Sequence, residues 1–240
     1  MTIKDLRSLL TLRGYDCSQC LEKSELVAVA QRMDATNYDD EAHKILRQLN
    51  LEGQQSGLMT KSRHSNVDAI WKDPGVGGGG TVYVGNYMAA SDRRTLDERG
   101  IVAVVNCQDE TSQNYFENDD DDDDTPTIQY HRFVVSRLAV SWDLYPHPFH
   151  HGFEQAFDFI QSNIDQGKSV LIHCLAGAHR AGTVGTAWLM YKTGTGVSDA
   201  LHMAKSCRPI IAPFGTLMEL LHRLESEFQS KNHQQGREIE

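Results

Sequence analysis

Ser169-Val170-Leu171-Ile172-His173-Cys174-Leu175-Ala176-Gly177-Ala178-His179-Arg180 carries the strongest structural signal in the chain. A short apolar run reads as a buried strand, and the glycine-containing turn after it opens into a helix beginning near Arg180. Such a strand, turn and helix start aim several backbone N–H groups at one point. That geometry is a nest for a tetrahedral dianion, and a phosphate group fits it. Arg180 adds a planar guanidinium able to clamp two phosphate oxygens, and Cys174 stands where a sulfur nucleophile would face the phosphorus. The spacing therefore predicts a phosphate loop at Leu175, Ala176, Gly177, Ala178, His179 and Arg180, entered through His173.

Outward from this loop, the chain alternates strands and helices. Strand-like runs lie at 81–84, 101–105, 127–135 and 169–172, and helical patterns at 91–99, 153–163, 181–191, 198–206 and 215–228. This predicts an α/β fold with a central, mostly parallel sheet flanked by helices. Upstream, apolar residues at helical spacing mark three helices, at 2–13, 24–33 and 39–49, which read as a small N-terminal helical domain. The expected organisation is a helical domain at 1–50, a glycine-rich linker at 51–80, the α/β domain at 81–228 and a polar tail at 229–240.

Composition narrows the function classes. The 240 residues carry a net charge of −10, which argues against wholesale nucleic-acid binding, although six consecutive aspartates at 119–124 contribute much of it. Those six like charges repel and stay solvated, as in a surface insertion. No window is apolar enough for a membrane span, and the charged start does not read as a signal peptide. Five cysteines, an odd number, fit a reducing compartment, so cytoplasm or nucleus is the expected location. His147, His150 and His151 lack a Cys or acidic partner at ligand spacing. Cys17-Ser18-Gln19-Cys20 lacks the second pair that a zinc site needs. No metal and no cofactor is expected.

A phosphomonoester carries about two negative charges near neutral pH, so its nucleophile must work inside a site that neutralises them. A helix N-terminus, backbone donors and a guanidinium favour a thiolate in such a place. Attack by Cys174 would give a cysteinyl-phosphate, with Arg180 and the loop amides holding the equatorial oxygens.

His173-Cys174 followed by five residues and Arg180 resembles the signature of the cysteine-based protein tyrosine phosphatase superfamily. The surroundings are similar to its dual-specificity branch: Tyr83-Val84-Gly85-Asn86 to the opening strand, the run at 100–106 to the second strand, and Arg208-Pro209-Ile210 with Pro213 to the segment before the last helix. The resemblance covers about residues 81–228. It implies hydrolysis of phosphotyrosine, and of phosphoserine or phosphothreonine, in proteins. It also implies an aspartate general acid about thirty residues before the cysteine, a place held here by Asp143. The plain alternative is that Asp143 caps a turn.

One departure stands out. Most relatives carry Ser or Thr directly after the arginine, where the hydroxyl eases departure of the thiolate; here Ala181 follows, and Thr183 lies two residues on. The phosphatases of regenerating liver share the alanine, which implies slow breakdown of the phosphoenzyme. Cys107 lies near where some relatives keep a cysteine that forms a reversible disulfide with the nucleophile, and its plainer reading is a small buried residue. His179 either tunes substrate charge or faces solvent, and Cys207 reads as helix-end packing. The N-terminal segment resembles a SAP-type helix-turn-helix and the C-terminal domain of ARMET-like factors. Its balanced charge favours protein docking through 1–50 over DNA binding. Besides a protein phosphatase, a phosphatase of phosphoinositides, RNA ends or phosphoglucans and a phosphate-binding module without turnover remain open.

Overall fold

The computed structural model describes residues 2–12, 22–34, 37–55, 65–75, 79–117, 127–141 and 150–237. The Cys17/Cys20 pair, the aspartates at 119–124, Asp143 and His147 lie outside the described residues. In chain order the elements are α1 (Ile3–Leu12), α2 (Lys23–Asp34), α3 (Tyr38–Gln55), β1 (Val67–Lys72), β2 (Thr81–Gly85), α4 (Tyr87–Ala90), α5 (Arg93–Glu98), β3 (Ile101–Asn106), β4 (Gln129–Arg132), α6 (Val135–Ser141), α7 (His150–Ile164), β5 (Ser169–His173), α8 (Arg180–Thr193), α9 (Val197–Cys207) and α10 (Thr216–Arg237).

Five strands form one sheet in the order β1-β2-β5-β3-β4, with β2, β5, β3 and β4 parallel and β1 antiparallel at the edge. β5 is central and buried at every position, as expected of a strand covered on both faces. Its side chains alternate: Val170 and Ile172 enter the larger core with Val82, Val84, Ala103 and Val105, while Leu171 enters the smaller one with Leu96, Ile101 and Val104. A register slip between Ile101 and Ala103 lets Ile101 and Val104 share a face despite their odd spacing. Helices α7, α8 and α10 supply the larger core, and α4 and α5 the smaller. α8 is buried from Arg180 to Met190. A Cβ at Gly185 would come within 2.8 Å of Val84 Cγ2, so glycine there lets α8 lie close on the sheet.

Three expectations need correction. The stretch 51–80 is not all linker, because β1 lies inside it and pairs with β2. Its burial repeats every third residue, with a bulge between Ala69 and Trp71, so no two-residue alternation marked it. The polar tail at 229–240 continues α10 as far as Arg237, since its Gln, Lys and Ser residues allow the helix to run on. The helices of 1–50 do not close on themselves. α1 and α2 enclose Leu6, Leu10, Leu26 and Val29 together with Val140 of α6, whereas α3 packs elsewhere, on the loop after β5. Periodicity shows that a helix has an apolar face but not what covers it.

Candidate active site

The end of β5 and the start of α8 place Cys174 and Arg180 at the two ends of one tight loop, both almost fully buried. The backbone N–H of Gly177 donates to Cys174 Sγ at 3.3 Å. Gly177 has φ +67°, and a Cβ there would lie 2.4 Å from the Gly85 carbonyl oxygen; only glycine fits both the backbone conformation and the space. The Leu175 carbonyl accepts from the Tyr87 N–H at 3.2 Å, and the Ala178 carbonyl accepts from the Ala212 N–H at 3.0 Å. The loop is thus fastened to β2, to the start of α4 and to the segment before α10.

Arg208 fastens it from below. Its guanidinium is buried and donates from Nε to the Gly177 carbonyl at 2.9 Å and from Nη2 to the Ala176 carbonyl at 3.3 Å. Nη1 reaches the Ser65 carbonyl at 2.8 Å and Asp68 Oδ2 at 2.6 Å. Burial lowers the Arg208 pKa from its ordinary value, opposed by the Asp68 carboxylate.

Burial dominates the electrostatics of the neighbours. His173 is pushed down to about 3, chiefly by desolvation, with the Cys174 backbone offsetting part of it, so the ring is neutral. Neither ring nitrogen makes a hydrogen bond of full geometry. Cys107, at the end of β3, is fully buried; desolvation raises its thiol well above the ordinary range, Cys174 adds to the rise and Arg180 opposes it. His179 is lowered by burial, and its Nδ1 lies 2.7 Å from the Ala212 carbonyl, which can only accept. Nδ1 therefore carries the proton.

Residues 82–227, more than half of the chain, match the family model described as the dual specificity phosphatase catalytic domain. The chain belongs to the dual specificity phosphatase family. Mouse dual specificity protein phosphatase 1 is 32% identical over 146 residues, 61% of this chain and 36% of that protein, so the match spans about a third of the relative's length. Among solved structures, human DUSP28 is similar with a TM-score of 0.50 at 18% identity, covering 69% of this chain and 96% of that one. PTPMT1 in complex with PI(5)P gives a TM-score of 0.51 at 16% identity, covering 70% of this chain and 99% of that one. These two likenesses show the fold.

Within this dual specificity phosphatase domain, His173, Cys174, the loop residues 175–179 and Arg180 are brought together as the spacing requires. Asp143 lies outside the described residues. Thr183 is not turned to the sulfur: its hydroxyl donates to the His179 carbonyl at 2.8 Å. A helix-interior threonine commonly makes that bond, which leaves it no proton for Cys174. His179 does not face solvent, because Phe214 packs edge-on against its ring at 4.7 Å. Cys207 is exposed at the end of α9 rather than packed. Among the described residues no group of three or more His, Cys, Asp or Glu is arranged to hold a metal ion.

Two residues of the site carry no local sequence signal. Arg208 showed only as part of the Arg-Pro segment, with nothing local to say that its fork reaches back to Gly177. Asp39, in the first turn of α3, ion-pairs through Oδ1 with Nη2 of Arg180. No sequence signal joins residues 141 positions apart.

Proposed function

We propose that this chain is a cysteine-dependent phosphatase that hydrolyses phosphotyrosine, and phosphoserine or phosphothreonine, in proteins, with slow turnover. The observation that carries the reading is the loop itself, in which Cys174 accepts the Gly177 N–H and Arg180 opens α8 beside it. Cys174 attacks phosphorus as the thiolate, the bond to the leaving oxygen breaks, and Asp143 gives that oxygen its proton. The S–P bond of the cysteinyl-phosphate then yields to water, whose proton returns to Asp143, and Cys174 leaves as thiolate. Arg180 and the loop amides hold the charge that spreads over the three equatorial oxygens.

Two observations support slow turnover. Ala181 offers no hydroxyl where most relatives have one, and the Thr183 hydroxyl is given to the helix backbone. The departing thiolate therefore lacks a hydroxyl donor from either residue. A phosphoprotein is the proposed substrate, and the loop residues 175–179 contain no lysine to favour a multiply charged inositol lipid. No helix among the described residues is long and apolar enough to cross a membrane, and cytoplasm or nucleus is the proposed location.

The test is hydrolysis of esters with graded leaving groups by wild type, Cys174→Ser and Asp143→Ala. Cys174→Ser should abolish hydrolysis while phosphate still binds. Asp143→Ala should lose about 10²–10⁴-fold on poor leaving groups and much less on good ones. Residual hydrolysis by Cys174→Ser would overturn the mechanism.

A further inference from the structure

We propose that α3 is a built-in competitor for the phosphate site, seating the Asp39 carboxylate on Arg180 where a substrate phosphate would bind. The inference rests on the reading of this loop as a phosphate site.

Position comes first. Asp39 Oδ1 ion-pairs with Nη2 of Arg180, whose side chain is 5% exposed. A carboxylate and a phosphate both bind a guanidinium through two oxygens in the same fork, so Asp39 and a phosphomonoester compete for the same N–H groups. The other acids of the first turn are otherwise engaged. Asp40 Oδ2 accepts from Asn37 Nδ2 at 2.7 Å, and Glu41 pairs with Lys44. Asp39 is the one that pairs with Arg180.

The helix is held there by more than the ion pair. Tyr38 is buried in the main core, its hydroxyl 2.6 Å from Thr216 Oγ1 and its ring 5.2 Å from that of Phe214, which in turn packs on His179. One turn on, Ala42 is buried against Ala176 and Ala178, and Ile45, Leu46, Leu175 and Ile210 pack against the same cluster. Positions 38, 39, 42, 45 and 46 share one helical face at i, i+3, i+4 and i+7 spacing. The contact needs small residues on both sides, since alanines let the helix come down onto the loop. With α3 in place Cys174 is 2% and Arg180 4% exposed. A phosphorylated side chain of another protein must displace Asp39 to take the Arg180 guanidinium.

A site that is open for only a fraction of the time binds its ligand more weakly by that fraction. If α3 is docked about nine-tenths of the time, its release tightens phosphate binding about tenfold. The experiment uses the full chain as wild type, Asp39→Asn, Asp40→Asn and Ala42→Glu. It measures inorganic phosphate binding by calorimetry and kcat/KM for 4-nitrophenyl phosphate. Asp39→Asn and Ala42→Glu should bind phosphate about tenfold more tightly than wild type, with kcat/KM rising in step. Asp40→Asn, which removes the same charge one residue away, should stay within about twofold of wild type, a far smaller change than the release of a docked helix gives. Equal phosphate affinity in Asp39→Asn and Asp40→Asn would overturn the proposal. Tighter phosphate binding by Asp39→Asn without hydrolysis by any form would uphold the competitor and refute the phosphatase reading. Absence of phosphate binding in every form would refute both.

Discussion

Replacing Arg208 with methionine removes the charge and fork while keeping most of the side-chain bulk, and so tests whether the loop is held from beneath. The structure gives this guanidinium four hydrogen bonds, to the carbonyls of Gly177, Ala176 and Ser65 and to Asp68 Oδ2, at 2.6 to 3.3 Å. The Asp68 side chain is 26% exposed, so water recovers part of what it loses, but the loop carbonyls are buried with their donor gone. Breaking a buried ion pair from one side costs about 3–5 kcal/mol. For a chain of this size about 1 kcal/mol corresponds to about 2–4 °C in Tm, so a fall of about 6–20 °C is expected. Calorimetric melting of wild type, Arg208→Met, Asp68→Asn and the double variant is the assay. The two single changes should be clearly less than additive, because either one breaks the same pair. A Tm for Arg208→Met within about 2 °C of wild type, a shift worth no more than about 1 kcal/mol, would show that this fork does not hold the loop. So would full additivity.

Other outcomes follow from the same contacts. Gly177→Ala places a Cβ 2.4 Å from the Gly85 carbonyl oxygen at φ +67°, so it should lose at least about 1–2 kcal/mol in urea unfolding and most phosphate binding; a variant with wild-type affinity would contradict the packing. His173 stays neutral when folded, its pKa near 3, whereas the unfolded chain takes up a proton below about 6.5. Stability should therefore fall as pH drops from about 6.5 toward 3, by about 1.4 kcal/mol per pH unit from this group, with half-buried His131 and buried His179 acting in the same sense. A urea midpoint that rises between pH 7 and 5.5 would contradict it. Ala181→Ser should restore a donor beside Cys174 and raise steady-state turnover while leaving the first, phosphoryl-transfer phase unchanged in stopped flow; a slowed first phase would place the serine elsewhere in the mechanism.

Much of this architecture was legible in the chain because its signals are local. The apolar run at 169–172, the glycine of the turn and the helix after Arg180 each follow from neighbours, and the loop they make needs no distant partner. β1 was hidden because a bulge broke its alternation, and α10 overran its expected end because no breaker precedes Gly236. Arg208 and Asp39 were hidden for a different reason. Their chemistry lies in contacts to residues 31 and 141 positions away, which only the folded chain brings together. Ala42 shows the same limit. Its place on an apolar helical face was readable, while its seat on Ala176 and Ala178 was not.

In the proposed mechanism Cys174 carries the phosphoryl group through a covalent intermediate that breaks down slowly. Rapid quench of the chain with a radiolabelled phosphotyrosine peptide in modest excess measures this directly. A burst of about one product per chain is expected, with a slow linear phase after it and covalent label recovered on the peptide containing Cys174 but absent from Cys174→Ser. Product release that is linear from the start, with no label on Cys174 at any time, would contradict it.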